Sequence, residues 1–247
     1  MLVNSEQALR IASAFARQAA WSASATTPTP RQGLCAACVE VLAVTGAGIT
    51  VMSGGQAGPV CVSDPSVAAL EDLQFVLGEG PCRDAFQDER PVHAARLRDG
   101  SFGRWSAFVA LAHTSGIGGV FAYPLMANSA KVGVLTLYQR EAGELSAGQH
   151  DDSLALAEVL TETVLSLQAA AAPGSLAAGL DDAVAYRAEL YQASGMVSVQ
   201  LEVSVAEALV RMRAYAFAED LPVGVVAARI VSRQLRFTEP AEGDHRG

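Results

Sequence analysis

The chain has 247 residues, of which 51% are hydrophobic and 17% charged, and its formal charge is −9 at pH 7. This composition excludes a largely disordered chain, and the length suits one large or two modest domains. No uninterrupted run of about 18 apolar residues predicts a membrane span, and the N-terminus lacks a signal-peptide pattern. We therefore expect a cytoplasmic protein of two domains with no membrane partner.

Residues 1–30 are predicted to be an N-terminal helix and a linker. An uneven apolar face that includes Leu9 and Phe15 predicts a helix over residues 2–20. Pro28 and Pro30 cannot continue it, because proline lacks the backbone N–H and restricts the residue before it. The first compact domain therefore begins near residue 31.

Helix and strand patterns then alternate along the chain. Two helical patterns cover residues 33–44 and 66–77. Three short strand patterns lie around them, at 49–52, at 60–63 and near Val92. Alternation of this kind indicates a mixed domain rather than an all-helical or all-strand one.

A β-hairpin follows in the pattern. Residues 119–126 and 131–138 are two strand-like runs, and residues 127–130 form the predicted loop between them. With the earlier elements they predict an α+β domain over residues 31–172, built on a central antiparallel sheet with flanking helices.

A long helical pattern over residues 151–172 ends this domain. Its apolar stripe suits either packing on the sheet or a short coiled-coil seam between two copies. Pro173 and Gly174 end the pattern, since proline clashes with a helical backbone and glycine favours a cap. We place a hinge at residues 173–180.

The Gly78–Cys82 segment reads Gly-Glu-Gly-Pro-Cys. Its glycines could allow a ligand to approach the backbone, but we favour a simple turn with Glu79 capping the next helix. A helix that starts here would lower the pKa of the Cys82 thiol, which makes Cys82 the best candidate for a reactive cysteine.

Cys35 and Cys38 have the Cys-x-x-Cys spacing of metal sites and redox pairs, and Cys61 and Cys82 are the other two cysteines. A redox enzyme or a redox or metal sensor is therefore an alternative. We favour buried thiols, because a second Cys-x-x-Cys is missing and disulfides are disfavoured in the cytosol.

The histidines are scattered without ligand spacing, so no metal site is expected. His113 alone could ligate haem, but we favour a surface or packing role. No nucleophile elbow or phosphate loop is present, and we expect no enzyme activity, no catalytic residue and no resident cofactor. An unknown small molecule could still bind the first domain, and the candidate lining residues are Cys82, Trp105, Phe121 and Tyr123.

The last quarter of the chain carries three amphipathic helical patterns within residues 181–238. From residue 221 to 238 there are three arginines and no acidic residue. Arg229, Arg233 and Arg236 are spaced i, i+4, i+7, which would put them on one face of a single helix. A small helical bundle with one basic ridge is a plausible nucleic-acid reader.

This region also resembles the ANTAR family. The resemblance implies an all-α, three-helix domain that binds paired RNA stem-loops in transcript leaders and regulates transcription by antitermination, acting as a homodimer. The matching residues are Tyr186–Arg187, Gln192–Gln200, Glu207–Leu209, Met212–Arg213, Val226–Ala227 and Ile230–Val231.

The first domain resembles a GAF sensor domain of the kind found ahead of ANTAR modules. Gly78–Cys82 is the most specific part of that match. The resemblance implies a domain that senses a small molecule or a redox state. The matching residues are Leu73–Gln74, Gly78–Cys82, Pro91–Val92, Trp105, Gly118, Pro124–Leu125 and Val132–Leu135.

The candidate RNA-binding set combines phosphate-binding arginines with residues for loop contact. Ser194 stands where the family commonly has lysine, and the net charge of the chain is −9. Both facts favour the alternative, a sensor-adaptor whose helical domain binds a protein partner. Residues 239–247 are predicted to be a disordered tail. The candidate RNA-binding residues are Arg187, Gln192, Ser194, Gln200, Arg211, Arg213, Tyr215, Arg229, Arg233 and Arg236.

Overall fold

The computed structural model describes residues 5–24, 32–53, 56–97, 105–169 and 180–238. The chain divides into two compact units, Met1–Val184 and Ala185–Gly247, and each is described by itself. The predicted linker, the hinge at Pro173 and Gly174 and the tail at 239–247 lie outside the described residues.

The first unit is built on an antiparallel sheet, and this confirms the α+β prediction. The strands described in it lie in the order β2-β1-β5-β4-β3. β4 and β5 form the predicted hairpin, with Asn128 in the left-handed conformation at its turn. The strands are β1 Gly46–Ser53, β2 Gln56–Val62, β3 Val92–Ala94, β4 Gly119–Ala127 and β5 Ala130–Gln139.

Helices cover both faces of this sheet. α2 and α6 pack on one face, and α3 and α4 pack on the other. The helix patterns predicted from the sequence are present, and a further helix, α5, was not predicted. The helices are α1 Ser5–Ser24, α2 Gln32–Leu42, α3 Pro65–Leu77, α4 Pro81–Asp88, α5 Ser106–Thr114 and α6 Ala147–Ala169.

Strand alternation divides the core between the two faces. Ile49 and Phe121 pack with residues of α2 and α6, whereas Met52 and Ala122 pack with α4. Successive residues of a strand point to opposite faces, so each strand feeds both layers.

A disulfide joins Cys35 on α2 to Cys61 on β2, which corrects the prediction that all four cysteines are free thiols. The two partners are 26 residues apart in sequence. Cys35 therefore does not bond to Cys38, its neighbour in the Cys-x-x-Cys motif. Cys38 and Cys82 are buried and do not belong to this disulfide.

The described part of the second unit has three helices, α7 Leu180–Leu201, α8 Val205–Ala218 and α9 Val223–Val231. The division from the first unit falls inside α7. α9 is shorter than predicted. It ends before Arg233 and Arg236, so the expectation that these two residues and Arg229 share one helical face is wrong.

Each helix of this unit ends with a charged residue in the left-handed conformation. Glu202, Asp220 and Arg233 have φ angles of 51°, 51° and 62°. After α9 the amide of Arg233 donates to Ile230 O at 2.9 Å, and the amide of Gln234 donates to Arg229 O at 2.8 Å. This is the Schellman pattern, in which glycine is the usual left-handed residue.

No single described helix is long and apolar enough to cross a membrane. Residues 185–201 and 205–218 pass that test only when taken together, and the chain turns through 101° between them.

Candidate functional site

A buried chain of hydrogen bonds lies between the sheet and α3, and we call it the polar cluster. Glu71 on α3 accepts hydrogen bonds from Thr50 Oγ1 at 2.9 Å and from the Tyr138 hydroxyl at 2.7 Å. Gln74 Nε2 donates to the same tyrosine oxygen at 3.1 Å, and the amide of Cys82 donates to Gln74 Oε1 at 2.8 Å.

The residues of the polar cluster are at most 2% exposed. Buried polar groups are costly unless they are hydrogen-bonded, and here each supports the next. Gly48 makes room for the carboxylate, because a Cβ at that position would lie 2.9 Å from Glu71 Cδ. The cluster is thus a fixed polar patch in the centre of the domain.

The helix that carries Glu71 and Gln74 has strong end signals. Asp64 caps it by accepting from the amides of Ser66 and Val67, and Pro65 occupies its first turn. Burial opposes ionisation of Asp64, but hydrogen bonds from Ser66, Ser63 and Val67 together lower its pKa. Gly78 ends the helix in the left-handed conformation.

The Gly78–Cys82 segment connects α3 to α4 and belongs to this site. Gly80 has φ 125°, and a Cβ there would lie 2.5 Å from Gln74 Oε1. The predicted cap by Glu79 is wrong, since Gly80 is the N-cap residue and Gln74 from the preceding helix takes the amide of Cys82. Cys82 is 2% exposed.

The four predicted ligand residues do not line one pocket. Cys82 lies on the α4 side of the sheet, whereas Phe121 and Tyr123 lie on the α2 and α6 side. Trp105 precedes α5 and is 1% exposed. Phe121 and Tyr123 are two positions apart on β4, so they point to the same face of the sheet.

Phe121 and Tyr123 belong to an aromatic cluster that the sequence did not predict. The His93 ring lies 5.3 Å from the His150 ring and 5.5 Å from the rings of Phe121 and Tyr123. The Tyr123 hydroxyl and His150 Nδ1 are 3.0 Å apart. The two histidines are 57 positions apart in the chain, so ligand spacing rules could not detect them.

Partial burial shifts two pKa values in this cluster, in which Tyr123 is buried and His93 is exposed at the surface. It raises the pKa of Tyr123 to about 12, and it lowers the pKa of His93, an effect that the charge of His150 adds to and that of Glu144 opposes. Among the described residues no group of three or more His, Cys, Asp or Glu side chains could hold a metal ion. His113 is exposed on α5, outside this cluster.

The predicted RNA-binding residues of the second unit fall into three groups by their exposure to solvent. Arg187 and Ser194 are 1% and 0% exposed, so the expectation that they offer surface contacts is wrong. The Ser194 hydroxyl donates to Tyr191 O at 2.9 Å. Gln192, Arg229, Arg233 and Arg236 are exposed, and Gln200, Arg211, Arg213 and Tyr215 are half-buried.

Two of the half-buried residues hold the C-terminal segment. Gln200 Oε1 accepts from the amide of Phe237 at 2.9 Å, and the ring of Phe237 packs edge-on to Tyr215 at 5.5 Å. Arg211 donates through Nε to Glu207 at 2.9 Å one turn earlier on α8. The exposed arginines of the predicted set are therefore Arg229, near the end of α9, and Arg233 and Arg236 in the segment that follows it.

No protein-family model matches the sequence, and no curated protein matches it. Solved structures that are similar to the chain include the GAF domain of a phosphoenolpyruvate-protein phosphotransferase from Acinetobacter, at 11% identity over 69% of this chain and 99% of that one, with a TM-score of 0.48. The corresponding domain from Coxiella burnetii is 14% identical over 66% and 96%, with a TM-score of 0.47.

A free methionine-R-sulfoxide reductase from Neisseria meningitidis, solved with its substrate, is similar at 13% identity over 66% of this chain and 92% of that one, with a TM-score of 0.43.

Proposed function

We propose that the chain is a signal-responsive regulator of transcription antitermination, in which the sheet domain is a GAF sensor and α7 to α9 form an ANTAR module that binds RNA hairpins. It acts as a homodimer without catalytic activity, and a small molecule or a redox change supplies the signal. The carrying observation is the exposure of Arg229, Arg233 and Arg236 in a stretch of sequence that contains no acidic residue.

Three exposed guanidinium groups without acidic neighbours in sequence suit a phosphate backbone. RNA binding is driven by cations that displace the counterions of phosphates, and arginine offers several donors in a fixed geometry. Arg211 contributes less to phosphate binding, because its Nε already donates a hydrogen bond to Glu207. Tyr191 is 58% exposed and offers a ring on which an unstacked loop base can stack.

Because the overall charge is −9, the arginines can attract RNA phosphates only at short range. An acidic protein repels RNA at distances beyond a few ångströms, and salt screens that repulsion. We therefore expect weak non-specific binding and a dependence on hairpin shape. A dimer that engages two hairpins on one transcript gains affinity by effective concentration.

Regulation follows from a population shift. An effector that binds one state of the sensor better than another biases the chain toward that state by its difference in affinity.

The test is RNA binding by the full-length protein and a variant with Arg229→Gln, Arg233→Gln and Arg236→Gln. The probe is an RNA hairpin selected from a pool with randomised loops. We expect affinity to fall at least about tenfold, and the slope of log affinity against log salt to decrease by roughly 2 to 3 if each arginine contacts one phosphate.

A control with Arg90→Gln, Arg96→Gln and Arg140→Gln removes the same charge from the first unit and should leave affinity and slope close to those of the unmodified protein. Equal losses in both variants, or no selected hairpin that binds the unmodified protein, would reject the proposal.

A protein-binding role is the second candidate, favoured by one observation. Phe217 and Val199 are 91% and 80% exposed on α8 and α7. Large apolar side chains that stay exposed to water can belong to an interaction site. A Phe217→Ser and Val199→Ser variant that keeps full RNA affinity but loses a protein captured by the unmodified chain would favour this role.

A further inference from the structure

We propose that the Cys35–Cys61 disulfide is a reversible thiol switch, and that the signal sensed by the first unit is the thiol redox state. This inference rests on the proposed function, because a protein that binds transcripts works in the cytoplasm. Disulfides there are kept reduced unless they are catalytic or redox-sensing. A disulfide in such a protein is therefore better explained as a switch than as a permanent cross-link.

The position of the disulfide suits a switch. Cys61 lies on β2, which is an edge strand and pairs with β1 alone among the described strands. Cys35 lies on α2, which packs on the sheet and also contacts α1 and α6. The bond thus joins an edge strand of the sheet to a helix that contacts several elements.

Side-chain contacts connect α2 to the helix that ends the first unit. Gln149 Nε2 at the start of α6 donates to Leu42 O at the end of α2 at 2.7 Å. α1 bridges both, since Arg17 pairs with Glu40 on α2 and Arg10 pairs with Asp152 on α6. A shift of α2 after reduction would therefore displace the residues of α6 that these contacts hold. The chain continues from α6 to the second unit.

The chemistry balances with a peroxide and a dithiol as the external partners. In oxidation, one cysteine thiolate attacks a peroxide, becomes a sulfenic acid and releases hydroxide or alkoxide. The second thiol then displaces water from that sulfenic acid, and the S–S bond forms. In reduction, a dithiol thiolate attacks the disulfide to give a mixed disulfide, and its second thiol displaces the remaining cysteine and leaves as a cyclic disulfide.

Cys38 lies one turn from Cys35 on α2 and is the nearest competitor in sequence. Its side chain is fully buried, and only thiolates take part in exchange. Burial raises the pKa of Cys38 to about 12, so its thiol stays protonated near neutral pH. Cys35 is equally buried, whereas Cys61 is 6% exposed. External reagents therefore reach the bonded pair through Cys61, and Cys38 provides a matched control.

The experiment equilibrates the full-length protein in dithiol buffers of stepwise composition, without denaturant, and measures alkylation of each cysteine by mass spectrometry. We expect Cys35 and Cys61 to become alkylated together, with a tenfold change in buffer ratio giving a tenfold change in the ratio of reduced to oxidised protein. Amide exchange in α2 and at the start of α6 should then rise on the order of tenfold, and peroxide should reverse both changes.

Cys38→Ala should keep this response, and Cys35→Ala with Cys61→Ala should show the fast exchange in every buffer. Reduction only after the sheet unfolds, as judged by circular dichroism, would overturn the proposal, as would equal exchange in the oxidised and reduced protein. The unmodified protein supplies these readouts even if the double variant fails to fold.

RNA affinity is measured separately in both redox states. No RNA binding in either state would reject the proposed function while the exchange data still decide whether Cys35 and Cys61 form a switch. Equal RNA affinity in the two states would reject redox as the signal for RNA binding.

Discussion

Gly80 shows how one residue without a side chain determines the local structure. Its φ of 125° is a conformation that L side chains rarely adopt, and Gln74 fills the space that a Cβ would need. The same glutamine accepts the amide of Cys82 and donates to Tyr138. The turn and the polar cluster therefore depend on each other.

We expect Gly80→Ala to destabilise the first unit by roughly 2–3 kcal/mol, from the backbone conformation and from displacement of Gln74. Urea unfolding monitored by circular dichroism measures this. Gly148→Ala is the control, because a Cβ there meets nothing within 4 Å and alanine favours a helix by up to about 1 kcal/mol. A loss in Gly148→Ala as large as that in Gly80→Ala would contradict this account.

His93 makes the stability of the first unit depend on pH. Its pKa is lowered by burial and by the nearby charge of His150, against the opposing effect of Glu144. A histidine whose pKa is lower in the folded state stabilises the fold above its unfolded pKa of about 6.5, and that stability is lost as the pH falls.

We therefore expect the urea midpoint to decrease between pH 7.5 and pH 5.5, and this decrease to be smaller in His93→Gln. His113→Gln changes an exposed histidine outside the aromatic cluster and should keep the full decrease. Identical pH profiles for His93→Gln and the unmodified protein would remove His93 as the cause.

At the scale of elements, the ends of the helices in the second unit are the informative feature. Each of α7, α8 and α9 is followed by a charged residue in the left-handed conformation where glycine is usual. Side chains with a Cβ pay for this conformation with about 1 kcal/mol or more. At Arg233 the same residue is a proposed phosphate contact, so stability and binding compete at one position.

Arg233→Gly should raise the stability of the second unit by about 1 kcal/mol and lower RNA affinity. Glu202→Gly makes the same backbone change after α7 without removing a cation, and should raise stability without loss of affinity. Thermal unfolding and fluorescence anisotropy with the selected hairpin measure the two effects. A loss of affinity in Glu202→Gly would show that helix-end flexibility, rather than charge, matters.

Strands and their short turn are easier to predict from the sequence than the end of a helix. Strand alternation and the β4–β5 hairpin were predictable because buried strands repeat every two residues and their turn is short. The end of α9 was not, because neither glycine nor proline follows Val231. The i, i+4, i+7 spacing of the arginines is a necessary condition for a shared helical face but does not show that the helix continues.

At the scale of the whole molecule, the sequence missed the contacts that join distant segments. Cys35 bonds to Cys61 rather than to its neighbour in the Cys-x-x-Cys motif, and His93 meets His150 across the sheet edge. Such pairs depend on tertiary packing, which spacing along the chain does not encode. Arg187 and Ser194 were misassigned for the same reason, since exposure on a helix depends on which face packs inward.

The contact of Phe237 with Gln200 and Tyr215 has a practical consequence for protein engineering. Phe237 lies six residues beyond the end of α9 and still contacts the helices of the second unit. A domain boundary placed at the last predicted helix would remove it. A shortened chain that stops after Val231 would lack Arg233 and Arg236 and would also uncover Tyr215. A truncation series should therefore retain residue 238, and an affinity tag is better fused to the other terminus.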